Sequence, residues 1–345
     1  MPARLLAPSL GAINACCAIE EGSPYLQPNQ FAASASYRWL HSFREFHGDM
    51  ELPYPTDPSL YANTHVHGFD LSVIYQVTRR FSVTLELPIQ TGDRTSYYEH
   101  DFVHRFTTRA SGIGDLRLIG NAWLFDPAKY HDGNISLGLG VKFPTGDDDA
   151  TDIFHQPTGR VRRPVDPAIQ PGDGGFGIVT ELSAFQKIYR QLFAYAQGIY
   201  LINPRDSNHV QQPTGNEEFF TLGEFGYTFN SVPDQYLARL GLGYVLWPKY
   251  GIVLSFGSRL EGVPVEDFIG DSHGWRNAGY AFYVEPGLLV SKGHFTFSIT
   301  GPVAFHRHAD KNLTDIKVSK EFHADIGGNA AFADYLITTS FSWWF

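Results

Sequence analysis

The chain ends on Tyr335-Leu336-Ile337-Thr338-Thr339-Ser340-Phe341-Ser342-Trp343-Trp344-Phe345, with large apolar side chains at 335, 337, 341, 343 and 345. A period of two puts those residues on one face of a strand and Thr338, Ser340 and Ser342 on the other. A strand with lipid on one side and a wet interior on the other needs that alternation, and its aromatic residues belong at the membrane–water boundary. A soluble C-terminus more often frays into polar residues. This segment therefore reads as the closing strand of a transmembrane β-barrel.

The same alternation recurs upstream. It spans 31–43, 66–77, 81–90, 113–125, 134–143, 177–187, 192–202, 236–246, 252–261, 280–290 and 295–306. At 177–187 and 192–202 the inward face is not decided. Joints at 78–80, 126–133, 188–191, 247–251 and 291–294 are too short for anything but antiparallel hairpins. Long segments at 44–65, 92–112, 145–175, 203–233, 263–278 and 307–333 alternate with them. Short turns at one end and long loops at the other are the asymmetry of a bacterial barrel, turns periplasmic and loops outside. With both termini periplasmic the strand number is even. Twelve strands follow, and fourteen if 92–112 or 203–233 hides a pair. A further alternating stretch, 219–229, would make thirteen and is assigned to an outer loop.

Composition supports the reading. Of 345 residues 15% are aromatic and only 18% charged, a load that suits two interfacial girdles better than one soluble core. No run of about 18 apolar residues occurs, so strands must carry any membrane crossing. The formal net charge of −10 argues against nucleic acid, which calls for a basic surface. Cys16 and Cys17 are the only cysteines. Their confinement to the start excludes a disulfide framework and fits a chain that crosses an oxidising periplasm. Residues 1–18 read as a short export signal cleaved after Ala18, ahead of lipid modification at Cys16. Residues 19–30 form a periplasmic lead-in, and 31–345 the barrel.

Function then rests on the inward face. The register places Arg38, Asp70, Glu86, Asp115, Arg117, Lys142, Glu181, Arg239, Arg259 and Glu285 in the lumen, five of each sign. Charges are costly against lipid and tolerated in a wet lumen, which supports the register itself. A path for acidic sugars would show tracks of basic residues, and this set is balanced. Its members either pair and brace the barrel or polarise a constriction for small neutral or amphipathic solutes.

Other constellations are weaker. His65 with His67 and His306 with His308 have a metal-gripping spacing, but they lie at strand ends where histidine also serves as an interfacial residue. Asp147-Asp148-Asp149 and Arg160, Arg162 and Arg163 share one outer loop and read as solvated charge. No spacing singles out a catalytic triad, and Gly172-Asp173-Gly174-Gly175 precedes no helix, so it is no phosphate loop. The residues assign no enzyme, metal or cofactor.

Gly112-Ile-Gly-Asp-Leu-Arg117, Gly138-Leu-Gly-Val-Lys-Phe-Pro-Thr-Gly-Asp147 and Gln170-Pro-Gly-Asp-Gly-Gly175 resemble the outer-membrane family of phenol meta-cleavage pathway proteins. So do Ser231-Val-Pro-Asp-Gln-Tyr236, Glu261-Gly-Val-Pro264, Val284-Glu-Pro-Gly287 and Ala331-Phe-Ala-Asp-Tyr335. The resemblance runs from about residue 20 to the end. It implies a transporter-like barrel for hydrophobic or aromatic compounds. The expected partners are a small-molecule solute, outer-membrane lipid and lipopolysaccharide, and the barrel-assembly machinery through Phe345. The expected function is passive diffusion through an outer-membrane channel, and the alternative is a plugged barrel that binds or braces through its outer loops.

Overall fold

The computed structural model describes residues 25–52, 62–211 and 229–345. Residues 1–18, read as an export signal, the start of the expected lead-in at 19–24 and nearly all of 219–229 lie outside the described residues. Fourteen strand segments form the wall: β1 (Phe31–Ser42), β2 (Asn63–Gln76), β3 (Phe81–Ser96), β4 (Phe106–Ile113), β5 (Arg117–Trp123), β6 (Gly133–Lys142), β7 (Gly177–Tyr189), β8 (Leu192–Ile202), β9 (Gln235–Trp247), β10 (Ile252–Val263), β11 (Ala278–Lys292), β12 (Phe295–Thr300), β13 (Val303–Asp310) and β14 (Tyr335–Trp344). β4 and β5 are the outer and periplasmic halves of one stave against β3, and β13 and β12 are those of another against β11. The wall therefore has twelve staves, all antiparallel to their neighbours. β1 and β14 close it, paired from Ala32↔Trp344 to His41↔Tyr335. Phe31 and Phe345 exchange both backbone hydrogen bonds at 2.9 Å, and their rings stack at 5.9 Å. Closure joins the first strand to the last, as the lipid interior demands, while at the outer end β4 pairs only with β3 and β13 almost only with β11.

Two strands read as continuous are broken. The stretch 113–125 is interrupted at 114–116, because Glu86 pairs with Arg117 while Ile89 pairs with Ile113. Three residues thus face Leu87 and Pro88, a bulge. Pro88 has no N–H to give the ladder, and its carbonyl accepts the Gly114 N–H at 2.7 Å. The stretch 295–306 breaks at Gly301-Pro302, where Gly301 N–H donates to Pro286 O at 3.0 Å, and then runs on to Asp310.

Even-numbered β1 residues and odd-numbered β7 to β11 residues point inward. Outward, Phe69, Leu71, Val73, Leu139, Leu240, Phe256, Phe297 and Phe341 are exposed, as a lipid face requires. The outer segments carry more order than the spacing suggested. Residues 92–112 hold half a stave, and 145–175 contain a hairpin (Thr151–Gln156 with Gly159–Pro164). Ser207–Gln211 pairs with Phe229–Ser231 outside the wall, so neither region adds a pair of staves. Helix α1 (Leu313–Glu321) was not foreseen. Asn312 caps it, accepting from Asp315 N–H at 2.8 Å while Asp315 accepts from Asn312 N–H at 3.1 Å, a capping box written in the sequence.

Candidate functional site: the closed lumen

All ten lumen charges named from the register face inward. Nine are buried at 8% exposure or less, and Asp70 is half-buried. Seven of them are joined by ion pairs. Arg117 lies 3.5 Å from Glu86, and Lys142 lies 3.7 Å from Asp115. Arg239 pairs with Glu285 and accepts company from Gln197, whose Oε1 takes its Nη1–H at 3.0 Å. Arg259 reaches Glu285 at 3.8 Å and Glu261 at 2.6 Å. Ser36 donates to Asp70 at 3.5 Å, beside Arg38. Glu181 sits opposite Gly138 on the β6–β7 pair. Sequence reading missed Glu261, although it shares Arg259's parity. It also missed Asp173, which pairs with Lys142 from an outer loop.

That loop enters the barrel. Residues 165–173 are buried throughout. A Cβ on Gly92 would sit 2.8 Å from Ile169 Cγ2, one on Gly112 3.2 Å from Pro171 Cγ, and one on Gly114 3.2 Å from Pro171 O. These glycines leave a trough in β3 and the β4–β5 stave in which 169–171 lie. Asp115 fastens the loop, accepting the N–H of Gly146 at 3.0 Å and of Asp173 at 3.1 Å. Val165 and Ile169 then join Leu40, Val66, Tyr283 and Leu336 of the wall and Phe46 and Phe332 of two other loops in one apolar cluster filling the outer mouth. A cavity of about 50 Å³ remains beneath it, lined by Arg38, Asp70, Gln90, Arg117, Lys142 and Asp173 among others. An apolar cavity that takes up benzene has roughly 150 Å³, so this one is too small for an aromatic ring.

Beside the charges one side of the lumen is apolar. Ile119, Val179, Ile199, Leu201 and Leu237 form a mid-barrel cluster on the β4–β5 stave, β7, β8 and β9. Tyr25, Phe185 and Phe193, with Trp123 and Val245 against them, form another at the periplasmic end. The inward faces of 177–187 and 192–202 mix these apolar residues with Glu181, Ser183 and Gln197. On the opposite wall, Ser34, Ser36 and Ser72 are half-buried and hydroxyl-bearing, with Ser34 and Ser72 joined at 2.5 Å.

A lid lies over the outer mouth. Arg94 donates to Glu99 at 2.8 Å, Thr64 at 2.9 Å and the Tyr98 hydroxyl at 2.6 Å, fixing 97–105 to the wall. His100, fully buried, accepts the His155 N–H at Nδ1 (3.1 Å) and stacks on Phe154 at 5.2 Å. Burial, and then the neighbouring His155, push the His100 imidazole below its ordinary 6.5. A released loop would take up a proton as pH falls through 6.5 while the docked loop resists it, so docking is strongest above that pH and weakens below it. Exchange of the His155 amide, corrected for its intrinsic rate, is expected to rise between pH 7.5 and 5.5 in the native protein. The rise should vanish in His100→Gln; equal rises in both would contradict the latch.

Among the described residues no three metal-ligating side chains surround a common point. His67 bonds to the Tyr37 hydroxyl (2.8 Å) and His65 to Asp93 (3.4 Å), while His308 and His306 face Asp49 at 2.6 and 3.6 Å. These are interfacial contacts on the outward wall. Arg162 donates to Thr151 at 3.3 Å, as solvated loop charge does.

Closed antiparallel wall, apolar outer face, aromatic girdles and charged interior define a transmembrane β-barrel of the bacterial outer membrane. No protein-family model and no curated protein sequence matches the chain. Its fold is similar to that of the COG4313 outer membrane channel from Pseudomonas putida F1, with a TM-score of 0.59 and 11% identity over 99% of this chain and 100% of that one. Lower scores come from the CymD monoaromatic hydrocarbon channel (0.43; 10% identity; 99% and 94% covered) and a Pseudomonas aeruginosa FadL homologue (0.41; 8%; 91% and 90%). At these identities the likeness is one of fold.

Proposed function

We propose that this barrel is an outer-membrane channel through which small hydrophobic or aromatic solutes diffuse passively, closed in the form described and opened when residues 165–173 leave the trough. The observation that carries this reading is the apolar lining. Clusters of inward apolar residues occur at the outer mouth, at mid-barrel and at the periplasmic mouth. The interior of a purely aqueous pore is polar. The fold shared with an outer membrane channel is consistent with a channel, and the solute class rests on the apolar lining together with the resemblance to the phenol meta-cleavage pathway family. The ten lumen charges then act as a polarised ring that the solute passes once the loop is out, and no catalytic step is involved. One observation favours the second reading, a plugged barrel with a binding or structural role: seven of the ten charges are ion-paired beneath an inserted loop. Planar-bilayer recording of residues 19–345 separates the two. A channel is expected to show rare steps that become frequent when toluene is added. A folded, heat-modifiable barrel that stays silent with the solute present would favour the plug.

A further inference from the structure

Tyr25 belongs to no barrel strand, yet its side chain is 7% exposed inside the periplasmic mouth. It precedes β1 by five residues that, extended, reach at most about 18 Å, enough to carry the ring across the opening from β1 toward β6. The ring meets Trp123 edge to face at 5.0 Å and Phe185 at 6.2 Å, and it clusters with Phe193. Its hydroxyl donates to Tyr130 O at 2.6 Å and accepts from Asn134 Nδ2 at 3.1 Å. The direction of that amide is fixed by the backbone. Asn134 Oδ1 accepts the N–H groups of Phe125 (3.1 Å) and Ile135 (2.8 Å), and Nδ2 also donates to Phe125 O (3.0 Å). The pocket therefore offers an aromatic wall with one donor and one acceptor placed for a single neutral hydroxyl.

We propose that the periplasmic mouth is a binding site for monocyclic phenols and that its occupant in this structure is the protein's own Tyr25, a tethered phenol that a solute must displace. The choice of class follows from the two polar groups. A hydrocarbon ring would leave both without partners, and a carboxylate would set an anion against the Tyr130 carbonyl; sites built to bond a hydroxyl discriminate strongly against analogues lacking it. Burial raises the Tyr25 phenol above its ordinary pKa of 10, so it stays a donor across the physiological range. A tethered competitor lowers apparent affinity by the fraction of time it holds the site, so removing it should reveal the intrinsic affinity.

This inference rests on the channel reading for the route by which a phenol arrives, but its test is an equilibrium one. Calorimetric titration of the refolded chain with phenol and with toluene is expected to show phenol binding Tyr25→Ala about tenfold or more tightly than the native protein. Tyr25→Phe, which keeps the ring and drops the hydroxyl, should fall between. Tyr25→Ala should prefer phenol over toluene by about tenfold, and adding Asn134→Leu should erase that preference. Equal phenol affinity in native protein and Tyr25→Ala, or equal phenol and toluene affinity in Tyr25→Ala, would overturn the site. Phenol-specific binding without solute passage would keep the site and remove the channel; passage without phenol-specific binding would do the reverse.

Discussion

Gly172→Val is expected to hold the barrel open. Gly172 and Gly146 cross backbone to backbone, so closely that a Cβ on Gly146 would lie 2.7 Å from Gly172 Cα and one on Gly172 would strike the Gly146 carbonyl. Backbone cannot yield as a flexible side chain can. Overpacking of this kind costs typically about 1–3 kcal/mol, which moves a two-state equilibrium by roughly 5- to 150-fold. Asp115 holds both sides of the contact, accepting the N–H of Gly146 and of Asp173, and relief is expected through the loop, by lifting 165–173 from the trough. Bilayer recordings should show open probability rising within that range and steps of a single size. An unchanged record from a folded variant would mean that the loop is not the gate.

Lys142→Met is expected to cost more in stability than any exposed substitution. Lys142 is 2% exposed and stands between Asp115 and Asp173, one carboxylate on the wall and one on the inserted loop. Methionine of similar length leaves both acids buried beside each other. Removing one partner of a buried ion pair costs about 3–5 kcal/mol, since the remaining charge keeps its desolvation penalty. Urea unfolding in lipid, followed by the heat-modified electrophoretic shift, should show a loss in that range. Adding Asp173→Asn should restore part of it, because one uncompensated charge is gone. A loss below about 1 kcal/mol, the worth of a surface pair, would mean that water already reaches Lys142.

The wall was legible because lipid imposes a strict rule on it. Outward residues from Phe69 to Phe341 follow period two along each unbroken strand, and nine of the ten inward charges lie on such strands, Asp115 sitting in the bulge at 114–116. What the sequence hid lies where that rule is silent. The bulge at 114–116 comes from Pro88 on a neighbouring strand, a cross-strand cause that no single-segment pattern displays. The inserted loop left only a faint trace, since Val165, Ala168 and Ile169 are unusually apolar for an outer loop, and Asp173 looked like part of a turn. Whether the charges paired depended on distances across the lumen, which strand order and register alone do not supply. The ambiguity at 177–187 and 192–202 was itself informative. Val179, Ile199 and Leu201 stand on the inward face there beside Glu181, Ser183 and Gln197, so polarity alone did not mark it.

The central claim is that the lumen passes small hydrophobic solutes once the 165–173 plug withdraws. The most direct measurement is the entry of toluene, against glucose as a polar control, into liposomes holding the native protein, with protein-free liposomes subtracted. The account expects toluene-selective entry above the lipid background that increases in Gly172→Val. Entry no faster than through bare lipid in both proteins, or glucose passing as readily as toluene, would contradict it.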